Sequence, residues 1–335
     1  MDAEATAGLL QQLRESVLNF RAGEEQTEQS GIPKHVNVYM FGPQGSGKTS
    51  FIRTCFRALM GSQIPKEISD LEQSLHRSDD GTSLYSVYKL TDGVCLHDTR
   101  GQREYTPEEQ EQLRLVLEGR ARPNSLIKQR KRYWLLLREF WRSDERMRKT
   151  FSRSVVLDQA TIDTEPHFVF LVVDPNQQEL LLEDEDFRGC YAELLREMGE
   201  RGVPYAILCT HGDLLTPSMR AGLARLPALL LEAALQDADD PVAVRKALST
   251  LVSGSVDGRY TSTVDALPES IRVVTNYTSP PGVVAARDTE QDMHCLLVLL
   301  NALRQAETFV KDRAAGTKTS PESTLEVSDV ECSLL

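Results

Sequence analysis

At 335 residues and 37.5 kDa, with 40% apolar residues, the chain is long enough to fill one large core or two ordinary ones. Its net charge of −12, from 38 Lys and Arg against 50 Asp and Glu, argues against nucleic acid as a whole-surface partner, and no apolar run approaches the roughly 18 residues of a transmembrane helix. Six scattered cysteines (Cys55, Cys95, Cys190, Cys209, Cys295, Cys332), with no CxxC pair, weigh against a disulfide framework or a zinc cluster and suit reduced thiols in the cytoplasm.

The start, MDAEATAG, reads as neither a signal peptide nor a myristoylation site. Residues 6–21 set Leu9, Leu10, Leu13, Val17, Leu18 and Phe20 at helical spacing, one apolar stripe expected to dock on the main body. The polar stretch RAGEEQTEQSG then closes an N-terminal segment over 1–32, ahead of a main domain expected over 33–313. HVNVYMF at 35–41 is a near-continuous apolar run of the kind a buried parallel strand needs.

That strand runs into GPQGSGKT at 42–49, which satisfies G-x-x-x-x-G-K-[ST] at every fixed position and opens a helical pattern, TSFIRTCFRAL. Gly42, Gly45 and Gly47 allow the backbone N–H groups of Gln44, Ser46 and their neighbours to turn inward around phosphates, and the helix start at Thr49 and Ser50 adds partial positive charge. Lys48 is expected on the β- and γ-phosphates and Thr49 on Mg²⁺. The loop by itself does not name the nucleotide. No LSGGQ-like signature follows; a kinase needs a basic lid and an acceptor site, and the basic stretch at 128–153 leaves that reading open without supporting it.

LYSVYKL at 84–90 and GVCLH at 93–97 read as an antiparallel hairpin at one edge of the sheet. Just after them stands DTRGQREY, 98–105, about fifty residues beyond Lys48. It resembles the switch of Ras-like GTPases, DTAGQEEY, at six of eight positions. The resemblance implies Asp98 at Mg²⁺ through water, the Gly101 N–H at the γ-phosphate and Gln102 at the attacking water, and it implies a Mg²⁺-bound threonine ahead of LYSVYKL, where Thr82 stands with Ser83 as the alternative. Such sites work by positioning and charge neutralisation, which these residue types supply. Two departures bear on turnover: Gln44 fills a position where Ras-like enzymes carry glycine and where a side chain obstructs an incoming arginine finger, and Arg100 inserts a cation into the switch.

Thr106-Pro107 with Glu109 marks a helix start. Residues 120–153 then carry twelve Lys or Arg against three acids, a local charge of +9 that leaves about −21 elsewhere. Within this basic insertion, set at about 120–160, KQRKRYWLLLREFWR interleaves Tyr133, Trp134, Phe140 and Trp141 with arginines. It reads either as a surface for anionic membrane, an acidic protein or a second copy forming a homodimer, with residues 128–153 as the contact, or as a solvated helix packing its apolar face on the core.

Strands are expected at HFVFLVVD (167–174), PYAILCT (204–210) and IRVVTNY (271–277), and helices near 180–200, 217–236, 241–252 and 289–312, with Thr216-Pro217 and Asp240-Pro241 as starts. The alternation gives an α/β class: a doubly wound, mostly parallel sheet with helices on both faces and enlarged insertions. At the end of the second of these strands, THGD resembles the [NT]KxD element of GTPases. Asp213 can accept two hydrogen bonds from the guanine N1–H and exocyclic amine, a donor pair adenine lacks. Thr210 begins the element, and His211 stands where the family has lysine. After the last strand, Thr275, Asn276 and Tyr277 occupy the place of the loop whose backbone contacts the guanine oxygen.

The arrangement over roughly 33–312, with GPQGSGKTSFIRT, GTS, DTRG, TNY and a closing LLVLLNALRQAETFV, is similar to interferon-induced protein 44-like GTPases, which implies an immune-related or membrane-associated role. From 314 to 335 the chain is rich in Ser, Thr, Glu and Lys and reads as a disordered tail. Its CSLL end fits a C-a-a-X prenylation signal on Cys332. Together these readings describe a switch that binds GTP and GDP with Mg²⁺ and hydrolyses GTP slowly. The alternatives are a nucleotide-dependent scaffold without turnover and an ATP-using P-loop enzyme.

Overall fold

The computed structural model describes residues 3–23, 32–61, 84–99, 101–102, 107–122, 125–126, 156–177, 182–236, 270–277 and 288–316. Thr82, Ser83, Arg100, the basic stretch at 128–153, the expected helix at 241–252 and Cys332 lie outside the described residues.

Strands β1 (Val36–Phe41), β2 (Leu84–Thr91), β3 (Val94–Asp98), β4 (Ser125–Leu126), β5 (Phe168–Val173), β6 (Tyr205–Cys209) and β7 (Ile271–Val273) form one sheet in the order β4-β2-β3-β1-β5-β6-β7. The ladders β3-β1-β5-β6-β7 are parallel; β2 runs antiparallel to both β3 and β4. The hairpin therefore exists, but β2 is not the edge. The two residues of β4 cover it, too few to show any period in the sequence.

In β1 all six side chains are buried, and their alternation divides them between two cores. Val36, Val38 and Met40 face a layer made by α1 (Ala3–Leu18), α2 (Lys48–Met60) and α6 (Thr289–Ala314). Tyr39 and Phe41 face the opposite layer, made by α3 (Pro107–Leu117), α4 (Glu185–Arg201) and α5 (Pro217–Gln236). Helices thus cover both faces of a doubly wound α/β sheet. The caps follow local chemistry: Thr216 Oγ1 accepts the Met219 N–H (3.3 Å), and Asp288 accepts from Glu290 and Gln291 N–H at the head of α6.

The N-terminal stripe docks as expected, with Leu10, Leu13, Val17 and Phe20 buried and Leu18 left exposed. A polar latch that the apolar pattern did not reveal fixes it. Arg14 donates to the Ala58 carbonyl at the end of α2 (2.8 Å) and to the fully buried Asp292 of α6 (2.9 Å). Between the same two helices, Cys55 and Cys295 are buried free thiols with their sulfurs 3.5 Å apart.

A second polar network crosses the other face. Tyr39 donates to Thr164 O, Tyr85 donates to Tyr39, His97 contacts both Tyr85 and Asn37, and Asn37 donates to Asp163 O and Glu165 O. Burial holds the His97 imidazole well below its ordinary value, so it stays neutral inside the sheet.

Candidate nucleotide site

The carboxyl ends of β1, β3, β5 and β6 open on one side of the sheet, and β1 is where the strand order reverses between β3 and β5. Ligands bind at such a reversal in open α/β sheets. From β1 the chain passes through Gly42–Gly47 into α2, with Gly45 at φ 81° and Gly47 at φ 89°, angles that favour glycine. A Cβ on Gly42 would collide with the Val172 carbonyl, so the first glycine is required by contact with β5.

The loop is braced from three sides. Thr210, at the end of β6, donates to the Ser46 carbonyl (2.7 Å), and Asn276 Nδ2 donates to the Gly47 carbonyl (3.3 Å). Gln177, from the 3₁₀ turn Pro175–Gln177 after β5, donates to the Gln44 carbonyl (3.2 Å). Behind Asn276, Tyr277 lies under the Arg57 guanidinium, 4.3 Å from ring centre, and its hydroxyl donates to Asp288 O and to Asp292. The 276–277 pair thus joins the loop to the latch of α1 and α6. Gln291 donates to the Thr275 carbonyl (2.7 Å), and Ser50 O accepts the Thr54 hydroxyl (2.8 Å).

Beneath the loop sit the charged groups. Lys48 Nζ is buried and donates to the carbonyls of Gly42 and Pro43 (2.8 and 2.7 Å), while Thr49 Oγ1 donates to Asp98 Oδ2 (2.6 Å). Burial lowers the Lys48 ammonium to about 8 against the pull of Asp98, and burial raises the Asp98 carboxyl to about 6 against the pull of Lys48 and the Thr49 hydroxyl. Asp98 Oδ1 is buried with no hydrogen-bond partner among the described residues. A hard divalent cation that is held by one carboxylate, one hydroxyl, waters and substrate phosphates suits this donor set. The residues therefore fit Mg²⁺ at Thr49 and Asp98.

Gly101 and Gln102 pack directly against the loop. Thr99 donates to Met40 O (2.6 Å), and Gln44 N–H donates to Gln102 O (3.0 Å). A Cβ on Gly101 would come 2.5 Å from Gln44 Cα, so only glycine fits between switch and phosphate loop. Gln102 is 4% exposed, and with Thr99, Glu109 and Gln112 it lines a cavity of about 20 Å³ under α3.

The turn that follows β6 is open to solvent. Asp213 is exposed in the 3₁₀ turn Gly212–Leu214, beside the exposed Leu214. His211 is the one non-glycine residue at positive φ among the described residues (φ 54°, ψ 44°), and its Nδ1 lies 3.1 Å from Thr210 Oγ1 and 3.5 Å from Asp174 Oδ1. Asp174 also accepts from the Asn176 backbone and side chain, both at 2.9 Å. Asp174 and Gln177 did not stand out in the sequence; their position directly after the apolar run FVFLVV was the available signal.

The structure thus brings together Gly42–Ser50, Asp98, Gly101, Gln102, Thr210, His211, Asp213 and Asn276 at one sheet end. Thr210 and Asn276 direct their side chains to the phosphate-loop backbone. No family model and no curated protein matches the chain. Among solved structures, the septin GTPase domain from Chlamydomonas reinhardtii is similar at 14% identity and a TM-score of 0.42, covering 85% of this chain and 96% of that one.

Proposed function

We propose that the chain is a guanine-nucleotide-binding P-loop protein that uses Mg²⁺ and hydrolyses GTP slowly, as a molecular switch. One observation carries the reading: Lys48, Thr49 and Asp98 meet beneath a phosphate loop, with Asp98 Oδ1 unsatisfied, while an exposed carboxylate, Asp213, stands at the next strand end but one. Backbone N–H groups of 44–49 and Lys48 bind the phosphates, and Thr49 and Asp98 hold the metal, which when bound neutralises phosphate charge. Asp213 accepts from the guanine N1–H and amine. Purification followed by identification of the bound nucleotide tests this: GDP supports a GTPase, and an adenine nucleotide overturns the guanine assignment.

A second reading, a scaffold that holds GTP without meaningful turnover, is favoured by Gln102. Its side chain is buried against α3 and its backbone is tied to Gln44, so it must leave that place before it can orient water. Gln44 adds an obstacle to an external arginine. Single-turnover hydrolysis by Gln102→Ala separates the two: a large loss assigns the glutamine to chemistry, and an unchanged rate removes it from the mechanism.

The likeness to interferon-induced protein 44-like GTPases supports an immune-related role, and two sequence features support membrane residence. Those are the CSLL end with Cys332 and the basic aromatic stretch at 128–153. No helix among the described residues is long and apolar enough to cross a membrane. Lipidation at Cys332 predicts that Cys332→Ser lowers the membrane fraction in cells; an unchanged fraction contradicts it.

A further inference from the structure

We infer that the Asp174–His211 pair is a protonation-tuned platform for the nucleobase, so that guanine-nucleotide affinity is highest when the imidazole is charged and weakens as it loses its proton. The inference rests on the guanine reading above and adds a regulated contact to it.

Position is the first ground. His211 stands between two groups with opposite tasks: the Thr210 hydroxyl, which carries the Ser46 carbonyl of the phosphate loop, and the exposed Asp213 carboxylate at the base end. A planar ring between the phosphate cradle and the base-selecting carboxylate lies along the length of a bound nucleoside. It is also only partly buried, its side chain 26% exposed, so one side remains open to a ligand.

Backbone conformation is the second. His211 holds φ 54° and ψ 44°, a left-handed geometry that a residue with a Cβ adopts rarely and that is concentrated at functional positions. Packing fixes that geometry locally. Gly212 N–H donates to Val274 O (3.0 Å), just past the end of β7, and Leu214 N–H donates to His211 O (2.9 Å), which closes the turn. The ring is thereby aimed by the fold and not by its own preference.

Chemistry is the third. The Thr210 hydroxyl proton is directed at Ser46 O and Val173 O, so its oxygen is left to accept from His211 Nδ1–H, with Asp174 Oδ1 beyond. This sets the tautomer and supports the second proton on the ring. Among the described residues the charges that bear on the imidazole are both acidic: Asp174 after β5 and Asp213 in its own turn. From α5, Arg220 acts on Cys209, whose thiol burial pushes up to about 12, out of the range concerned. The hydrogen bond to Asp174 raises the His211 imidazole above 6.5, opposed by partial burial. The imidazolium therefore persists to higher pH than in a free histidine and is lost as pH rises through the raised value. An imidazolium against an electron-rich purine face gains cation–π attraction that a neutral ring lacks.

The test is the affinity for fluorescent N-methylanthraniloyl-GDP with Mg²⁺ from pH 5.5 to 8.5, on the full chain, for the natural protein, His211→Lys, His211→Gln and Asp174→Asn. His211→Gln cancels the titration of the phosphates, Lys48 and Asp98. Relative to it, the natural protein is expected to bind roughly three- to fivefold tighter at pH 6 and to lose that margin by pH 8.5. His211→Lys keeps the margin across the range, and Asp174→Asn moves the midpoint to lower pH, a shift a merely structural contact does not produce. Identical profiles for the natural protein and His211→Gln overturn the inference while leaving guanine binding intact. Failure to bind the guanine probe at pH 6, with the adenine analogue bound instead, overturns both.

Discussion

The two ends of the candidate nucleotide site are built differently. At the phosphate-loop end nearly every group is tied down by the fold itself: Lys48 to the Gly42 and Pro43 carbonyls, Thr49 to Asp98, Ser46 O to Thr210, Gly47 O to Asn276. At the other end, proposed to meet the base, an exposed aspartate, an exposed leucine and a strained histidine sit on a single short turn. A phosphate is recognised mainly by backbone N–H groups and so needs a rigid loop. A base is recognised by a few side chains and needs only that their turn be held in place. Preorganisation is therefore concentrated where the ligand's charge is.

The strongest way to break the contrast is to cut the brace behind the phosphate loop. Asp292 is fully buried between Arg14 and the Tyr277 hydroxyl, so Asp292→Ala strands a cation and frees the segment that holds Asn276 on Gly47. A loss of about 3–5 kcal/mol in unfolding free energy is expected, read as a melting temperature lower by roughly 10 °C, with weaker nucleotide binding alongside. A variant that melts normally contradicts the brace.

Asp98 sharpens the picture through pH. Its carboxyl titrates near 6 in the fold against 3.8 when unfolded, so the folded chain holds the proton more tightly. That contribution to stability is fully present below 3.8 and is lost as pH rises from 3.8 through 6. Without metal, Asp98→Asn is therefore expected to be more stable at pH 7.5 by on the order of 2–3 kcal/mol, while the Mg²⁺ dependence of nucleotide binding disappears. Equal melting curves at pH 7.5 argue against a strained carboxylate.

Lys48→Ala removes a charged donor to phosphate and should weaken nucleotide binding roughly 10- to 100-fold, for GDP and ADP alike. Asp213→Ala should act differently. It lowers GDP affinity about tenfold and leaves ADP unchanged, because the lost bonds are to groups only guanine carries. If the two variants shift both nucleotides equally, the division between the ends is wrong.

Much of the phosphate end was legible in the sequence because it is a backbone device. Gly42 must clear Val172, Gly101 must clear Gln44, and Gly45 and Gly47 take positive φ, so the residue types are dictated by geometry. The alternation of strands and helices was legible for the same reason, through burial of both sheet faces. The braces were not. Arg14, Asp174, Gln177 and Asp292 are ordinary polar residues whose partners lie far along the chain, up to 278 positions for Arg14 and Asp292, and no local period records such a pairing. The last strand was expected to reach Tyr277 but ends at Val273, because Val274 O, Thr275 O and the side chains of Asn276 and Tyr277 turn to bond Gly212, Gln291, Gly47 and α6. The strand β4 was missed since two residues carry no pattern.

The proposed function stands on selection of guanine by Asp213 and the turn that carries it, above a Mg²⁺-dependent phosphate loop. Calorimetric titration of the nucleotide-free full chain with GDP and with ADP, each with Mg²⁺ at pH 7, measures it directly. GDP is expected to bind at least about tenfold tighter than ADP, a margin that vanishes in Asp213→Ala; equal affinities in the natural protein, or a preference for ADP, overturn the guanine assignment.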